Sequence, residues 1–264
     1  MRRFILIAIL VACCLSWTPL WAVEAGLEAG MTARITGVVD GDTVVLDNGV
    51  TVRLVGIQAP KLPLGRPGFK AWPLADAAKA ALEELGLGRR VTLYYGGRRI
   101  DRYGRALAHL YRDDGLWIQG AILALGMARV YSFRDNRAAV PRMLAREAAA
   151  RTARLGIWRN PFYAVRRAEP PAIPIDRFEL VEGRVLDVAT VRNRTYINFG
   201  DDWRVDFTLS LTSGVRRLFD REGIDLERLE GLVIRARGWI KSYNGPMIEI
   251  SHPEQIEILE PREP

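Results

Sequence analysis

The sequence predicts a mainly β protein with helices (α+β), arranged as two units. Short runs rich in β-branched residues alternate with amphipathic helical stretches, and a proline- and arginine-rich stretch at residues 161–177 separates two β-rich regions. The chain has 264 residues, more than the ~250 at which single hydrophobic cores stop growing. Hydrophobic residues make up 49% and charged residues 26%. This composition excludes a disordered chain, a collagen-like repeat and a polytopic membrane protein.

The first unit is predicted over residues 33–160. Strands are expected within 33–55, where Asp47-Asn48-Gly49 is a hairpin-turn signal. Amphipathic spacing and bounding glycines then predict further elements in chain order. They are a helix at 75–85, strands at 90–95 and 106–112, and helices at 116–130 and 140–155.

The second unit is predicted over residues 178–260, after a linker at 161–177. It contains five short strand patterns and one helical stretch at 215–222. The strand patterns lie at 183–188, 195–199, 204–209, 232–240 and 247–250. Five short strands with one helix between them fit a second small, closed β-barrel such as the OB-fold.

The N-terminal segment 1–22 has a basic start, a long apolar run and a small-residue exit, which predict a secretory signal peptide. An uncleaved anchor, or a lipoprotein signal with Cys13 as the lipidated residue, are less favoured alternatives. We therefore expect an exported protein, periplasmic or secreted, with no membrane contact beyond this segment. The two cysteines, Cys13 and Cys14, both lie within it. Cleavage after Ala22 would leave no disulfide and no cysteine nucleophile.

Several short motifs occur in a fixed order along the first unit. Asp-Gly-Asp-Thr at 40–43 precedes Arg-Leu-Val-Gly-Ile at 53–57, followed by Asp-Arg-Tyr-Gly-Arg at 101–105 and Leu-Gly-Ile-Trp at 155–158. Together they resemble the staphylococcal-nuclease-like (thermonuclease) family over about residues 33–160. The resemblance implies a five-stranded OB-type barrel with three helices. It also implies calcium-assisted phosphodiester hydrolysis of DNA or RNA.

The resemblance also assigns roles to individual residues. It places the two phosphate-binding, catalytic arginines at Arg53 and Arg105, and the first calcium carboxylate at Asp42. The second calcium carboxylate falls on Gln58, and the general base falls on Lys61. These two departures raise the local charge of the site and remove a ligand charge that calcium needs. A lysine acts as a base only if its pKa falls greatly.

These departures predict a weak metal site or none. Asp40 is a further candidate ligand beside Asp42 and Gln58. Calcium is the cofactor that the resemblance implies; the two departures make its loss an expectation, and Mg²⁺ or Mn²⁺ are the alternatives.

Arginines, a lysine and aromatic side chains are predicted to contact nucleic acid, because cations bind phosphates and aromatic rings stack on bases. Tyr131 and Phe133 fit the hydrophobic core equally well. The candidates are Arg53, Lys61, Arg102, Tyr103, Arg105, Tyr131 and Phe133.

The two units differ in charge. Residues 23–177 hold 24 Lys+Arg and 15 Asp+Glu, whereas residues 178–264 hold 12 Lys+Arg and 16 Asp+Glu. The first unit is thus the expected site for DNA, RNA or another polyanion, and an unknown protein or glycan is the expected partner of the second. The favoured function is binding of nucleic acid or another phosphate polymer, with phosphodiester hydrolysis in doubt. An active metal-dependent nuclease with a rearranged site and a cell-envelope interaction protein without catalysis remain alternatives.

Overall fold

The computed structural model describes residues 23, 25–169 and 173–259. Buried apolar side chains form two clusters, one between Ala33 and Met143 and the other between Ala168 and Ile250. Each cluster lies inside one curled β-sheet. The predicted signal peptide, with Cys13, lies outside the described residues. Within the described part of the chain, no helix has the length and apolarity needed to cross a membrane.

The first sheet closes into a five-stranded barrel. Its first strand, at residues 28–40, pairs with the strand at 43–46 on one side and with the strand at 90–95 on the other, and this double pairing closes the sheet. Strands in this unit are β1 (Glu28–Asp40), β2 (Thr43–Leu46), β3 (Thr51–Leu54), β4 (Ile57–Gln58), β5 (Arg90–Tyr95), β6 (Ala106–Arg112) and β7 (Arg129–Val130). The barrel order is β1-β2-β3-β6-β5, with β3 and β6 parallel. Strands β4 and β7 form a separate antiparallel pair.

Three helices cover this barrel: α1 (Ala75–Gly86), α2 (Ile118–Ala124) and α3 (Val140–Thr152). The apolar face of α1 is buried through Ala75, Ala78 and Leu82. The prediction of one helix over 116–130 was wrong, because α2 ends at Ala124 and β7 follows it. Gly126 has a positive φ of 68°, and the amide of Met127 donates to the carbonyl of Ile122 at 3.0 Å. This is the hydrogen-bond pattern of a glycine-terminated helix.

The second sheet follows the same strand order as the first barrel. Its elements are β8 (Arg166–Arg167), β9 (Phe178–Arg184), β10 (Asp187–Val191), β11 (Arg194–Asn198), β12 (Thr208–Thr212), α4 (Ser213–Arg221), β13 (Val233–Ser242), β14 (Pro246–Ile250) and β15 (Ile256–Ile258). The order is β10-β11-β12-β14-β13-β9-β8, with β15 beside β13. Strands β12 and β14 are parallel, as β3 and β6 are. The consecutive strands β9 and β10 take the place of the long β1, so the sheet curls round on itself.

Three expectations for this region need correction or refinement. The single strand predicted at 183–188 is the junction of two strands, because β9 ends at Arg184 and β10 begins at Asp187. Between them, the amide of Val185 donates to the carbonyl of Leu232 and that of Leu186 to the carbonyl of Asn198, each at 2.9 Å. The strand predicted at 204–209 lies instead at Thr208–Thr212, because Asp202 organises a turn by accepting a hydrogen bond from the amide of Arg204 at 3.1 Å. The predicted linker contains a 3-10 helix at Pro161–Tyr163 and the strand β8, which pairs with β9. Residues 170–172 of that stretch lie outside the described part.

A buried ion pair joins the two units. Glu147 of α3 and Arg237 of β13 are both fully buried, and each carboxylate oxygen of Glu147 accepts from the Arg237 guanidinium at 3.0 Å. Arg151 adds a third donor at 2.8 Å. Burial raises the pKa of Glu147, but the charge and hydrogen bonds of Arg237, the amide of Val130 and the charge of Arg151 together outweigh burial and hold the pKa below its ordinary value. Glu147 is therefore a charged link between the two units.

Candidate functional site

A groove of about 420 Å³ lies across the first barrel, and arginine and aromatic side chains dominate its walls. We call it the arginine groove. Its floor is the end of β3 and the residues after it, one wall is the loop between β5 and β6, and the other wall follows β7. The lining residues are Arg53–Ile57, Arg98, Asp101, Arg102, Tyr103, Arg105, Leu107, Tyr131, Phe133, Asp135 and Asn136.

Hydrogen bonds tie the two walls together at one end of the groove. The amide of Arg98 donates to the carbonyl of Asp135 at 3.0 Å. The side-chain amide of Asn136 donates to the carbonyl of Arg98 at 2.9 Å. These bonds fix the spacing between a loop and a segment that are far apart in sequence.

Asp101 shapes the turn that presents the arginines. Its Oδ1 accepts from the amides of Tyr103 and Arg105 at 2.8 and 3.0 Å, and its Oδ2 accepts from Nε of Arg105 at 2.8 Å. The ring of Tyr103 is 67% exposed. The guanidinium carbons of Arg102 and Arg105 lie 4.8 and 5.4 Å from its centre. The turn thus displays two cations and one aromatic face together.

The opposite wall carries Tyr131 and Phe133, whose rings meet edge-to-face with centres 4.8 Å apart. Tyr131 also packs on Phe178, and its hydroxyl accepts a hydrogen bond from the indole of Trp239 at 2.9 Å. Phe133 remains 46% exposed. The second unit therefore supports this wall of the groove, a contact that no local sequence signal predicts.

Behind the groove, a fully buried carboxylate lies between two cations. Nζ of Lys61 donates to Oδ1 and Oδ2 of Asp42 at 2.8 and 2.6 Å, and lies 3.6 Å from Oδ2 of Asp40. Nη2 of Arg53 is 3.2 Å from Oδ2 of Asp42. The amide of Ala59 donates to the same oxygen at 2.8 Å. Both carboxylate oxygens of Asp42 are thus satisfied by groups of the protein itself.

The charges around Asp42 decide its protonation. Burial raises its pKa, but Arg53 and Lys61 oppose burial more strongly and lower the pKa to about 2. The neighbouring Asp40 has a raised pKa, because burial and the charge of Asp42 outweigh the attraction of Lys61. Asp42 is therefore ionised at neutral pH, and the Lys61 ammonium and the Arg53 guanidinium are its counter-ions.

Gln58 has a different partner from the one expected of a metal ligand. Its Oε1 accepts from Nε and Nη2 of Arg129 at 3.1 and 2.9 Å, and Arg129 is buried. Burial lowers the pKa of Arg129 to about 10, so the guanidinium stays charged at neutral pH. No sequence motif marks Arg129 as a site residue, because it lies in a stretch whose apolar spacing predicts a helix.

The predicted residues thus fall into two neighbouring groups that share Arg53. Arg53, Arg102, Tyr103, Arg105, Tyr131 and Phe133 line the arginine groove. The second group is the Asp42 cluster, which we define as Asp40, Asp42, Arg53 and Lys61. Lys61 belongs to that cluster and does not line the groove. Asp135 and Asn136, which line the groove, were not among the predicted residues.

Comparison with known proteins places the first unit in a family. A model of the staphylococcal nuclease homologue family matches residues 51–160. An uncharacterized endonuclease of Escherichia coli O157:H7 is 31% identical over 161 residues, which are 60% of this chain and 90% of the relative. The chain belongs to the staphylococcal nuclease homologue family.

Other relatives in the comparison support the same assignment. The endonuclease YncB of Bacillus subtilis (strain 168) is 33% identical over 134 residues, covering 49% of this chain and 62% of that protein. Protein ParB of Escherichia coli is 32% identical over 155 residues, covering 54% and 77% respectively. The family model ends at residue 160, before the second sheet.

Members of this family generally depend on calcium, so the donor set must be tested for that ion. Calcium requires several free oxygen ligands, and ligand charge raises its affinity. Here the Lys61 ammonium takes both oxygens of Asp42, and Arg129 takes the Gln58 oxygen. Within the described residues, no group of three or more His, Cys, Asp or Glu side chains could hold a metal ion. The residues present do not fit calcium.

Proposed function

We propose that this member of the staphylococcal nuclease homologue family binds single-stranded nucleic acid in the arginine groove, without a metal ion and without cleaving it. One observation carries the proposal: the groove brings Arg53, Arg102, Tyr103, Arg105 and Phe133 to one surface. Two of the relatives are named endonucleases, which supports a nucleic acid as the ligand.

The groove offers both kinds of contact that single strands use. Arg102 is exposed on the turn and supplies charge for phosphates. Arg105 lies beside it and is half-buried, with its Nη2 2.7 Å from Oδ2 of Asp101, and Tyr103 and Phe133 supply faces for bases. Groups of this kind give binding that tolerates sequence differences and depends steeply on salt. Arg53 contributes less, because its guanidinium already donates to the carbonyls of Leu54 and Ile57 at 2.6 and 2.7 Å.

The Asp42 cluster, which does not fit a calcium ion, also disfavours cleavage of the nucleic acid. Hydrolysis requires activated water and stabilisation of the charge that develops on the phosphate. The resemblance places the general base at Lys61, whose ammonium is paired with Asp42. A cation held in this way has no free lone pair with which to accept a proton from water.

Fluorescence anisotropy with labelled single-stranded DNA and RNA tests the binding. We expect equal affinity in calcium and in chelator, and a steep loss of affinity as salt rises. Arg105→Ala and Arg102→Ala should each weaken binding about five- to tenfold, equivalent to about 1 kcal/mol. The matched control is Arg89→Ala, since Arg89 is exposed and outside the groove lining. Equal losses of affinity in Arg89→Ala and Arg105→Ala would show that the nucleic acid does not bind in the arginine groove.

Incubation of the protein with long single-stranded substrates tests the absence of cleavage. The arms contain calcium, magnesium, manganese or chelator, and Arg105→Ala is run beside the natural sequence to expose a contaminating nuclease. We expect intact substrate in every arm. Metal-dependent cutting that disappears in Arg105→Ala would establish an active nuclease with a rearranged site.

We also propose that the protein acts outside the cytoplasm, as a periplasmic or secreted protein. The apolar run at residues 4–17 behind two arginines supports this. Cell fractionation of the full chain, compared with a version lacking residues 2–22, tests it. Equal cytoplasmic retention of both versions would contradict export.

A further inference from the structure

A second groove, of about 390 Å³, lies on the outer face of the second sheet, away from the arginine groove. We call it the Trp203 groove. Strands β10, β11, β12 and β14 form its floor, and the loops at 199–207 and 243–245 form its sides. The lining residues are Asp187, Ala189, Val191, Tyr196, Asn198, Trp203, Thr208, Tyr243, Asn244 and Met247.

Two exposed aromatic side chains stand on these loops. Trp203 is 54% exposed and Tyr243 is 62% exposed, so two aromatic rings are open to solvent beside the same groove. The guanidinium of Arg204 lies 5.2 Å from the centre of the Trp203 ring. Arg204 is held by Asp202 at 3.6 Å, so a neighbouring group fixes the orientation of the indole.

The two loops are packed against each other. Gly245 has a φ of 88°, and a methyl group placed on it would lie 2.6 Å from the carbonyl oxygen of Asp206. Only glycine permits this approach in this conformation. The backbones of the two loops that carry Trp203 and Tyr243 are therefore in direct contact at this point.

The floor carries a row of linked polar groups. The hydroxyl of Thr208 donates to Oδ1 of Asn198 at 3.3 Å, and Nδ2 of Asn198 donates to Oδ2 of Asp187 at 3.1 Å. The row crosses three adjacent strands, and its last member, Asp187, is exposed. It presents an oriented carboxylate acceptor and an amide beside the aromatic rings.

Charge distinguishes this groove from the arginine groove. Asp187 is the only charged residue among those that line it. The cations nearby have acidic partners: Arg194 and Lys241 share Glu249, at 3.3 and 2.9 Å. A polyanion would gain little from this surface, because phosphate binding depends on cations and none of the described residues that line the groove is a lysine or an arginine.

We propose that the Trp203 groove is a binding site for an uncharged oligosaccharide. Aromatic rings provide flat apolar faces for the C–H faces of sugar rings, and the oriented carboxylate and amide suit hydroxyl donors and acceptors. The second unit is a curled sheet and not a closed barrel, but OB-type barrels, whose strands follow a similar order, bind oligosaccharides and oligonucleotides on one face. The absence of a free cation in the lining selects the former. This site is separate from the arginine groove and does not depend on nucleic-acid binding there.

Titration of the full chain with maltohexaose, cellohexaose and chitohexaose tests the proposal. The readout is the set of indole N–H signals in ¹H–¹⁵N NMR, with the Trp203 signal assigned from Trp203→Phe. We expect at least one sugar to shift the Trp203 signal. Trp203→Ala should weaken that sugar's binding at least about tenfold, and Asp187→Asn should weaken it while keeping the shape of the floor.

Tyr103→Ala is the reciprocal control. It removes an exposed ring from the arginine groove, so it should weaken nucleic-acid binding and leave sugar binding intact, whereas Trp203→Ala should do the reverse. Three results would overturn the proposal: no sugar shifts the Trp203 signal, sugar binding is equal in Trp203→Ala, or a single-stranded oligothymidylate shifts that signal in place of the sugars. None of the three would affect the proposal for the arginine groove.

Discussion

At the scale of single residues, Lys61 determines the chemistry of the Asp42 cluster. Its ammonium lies within 3.6 Å of both Asp40 and Asp42, so the protein supplies its own cation to this acidic pair. The cluster is therefore an ion-paired group behind the groove, and the proposal assigns phosphate contacts to arginines of the groove.

Lys61→Glu should create a divalent cation site. The substitution removes the competing ammonium and places a third carboxylate beside Asp40 and Asp42, which matches the preference of calcium for charged oxygen ligands. Isothermal titration should detect calcium binding in Lys61→Glu and none in the natural sequence.

Gln58→Asp alone is the matched control for this test. It should not bind calcium, because Lys61 remains and the buried Arg129 would pair with the new carboxylate. Calcium binding by Gln58→Asp, or none by a folded Lys61→Glu, would show that Lys61 is not the group that excludes the ion.

At the scale of elements, the segment after α2 positions β7 and hence the wall that carries Tyr131. Gly126 has a φ of 68°, and a methyl group on it would lie 2.4 Å from the carbonyl oxygen of Leu155. The close approach joins the end of α2 to the segment after α3, and the chain then turns directly into β7.

Gly126→Ala should destabilise the fold by about 3 kcal/mol, since strain at a positive φ adds to the backbone clash. Gly88→Ala is the control: its φ of 73° is similar, but nothing lies within 4 Å of the added methyl. This control should lose only about 1 kcal/mol. Urea unfolding of the two variants measures the difference in their free energies of unfolding. Similar losses of stability would mean that the close contact with Leu155 does not contribute to the cost.

Elements with regular patterns could be predicted from the sequence, whereas those fixed by distant contacts could not. Strands at 90–95 and 106–112 have their predicted bounds, because alternation repeats along each of them. The helix over 116–130 was predicted too long, since its apolar spacing continues past the glycine that ends it. The pairing of Gln58 with Arg129 joins two short strands far apart in the chain, and no local pattern indicates it.

At the scale of the whole molecule, the two units are coupled by buried polar contacts. Arg237→Met would leave the buried Glu147 with Arg151 as its remaining charged partner. Loss of one member of a buried pair costs about 3–5 kcal/mol. In scanning calorimetry we expect one unfolding transition for the natural sequence and two for Arg237→Met, because the two units of the variant would unfold separately. Arg216→Met, which removes an exposed pair with Glu227, should cost less than about 1 kcal/mol and keep a single transition.

Two buried histidines make the stability of the whole chain depend on pH. Burial lowers the pKa of His109 to about 4. Burial, together with the charges of Arg137 and Arg237, lowers that of His252 to about 4 as well. The neutral ring of His252 bridges the units, with Ser132 at 2.7 Å on one nitrogen and Ser251 at 2.8 Å on the other.

The unfolded chain therefore takes up protons first as the pH falls, with a histidine pKa of about 6.5. Stability should decline from about pH 6.5 to about pH 4, by about 2–3 kcal/mol for each histidine. Urea unfolding at pH 7.5, 5.5 and 4.5 measures this decline. His252→Gln removes one of the two titrating rings, so its loss of stability over the range should be about half that of the natural sequence. An unchanged decline in His252→Gln would mean that folding does not shift the pKa of the ring at the junction between the units.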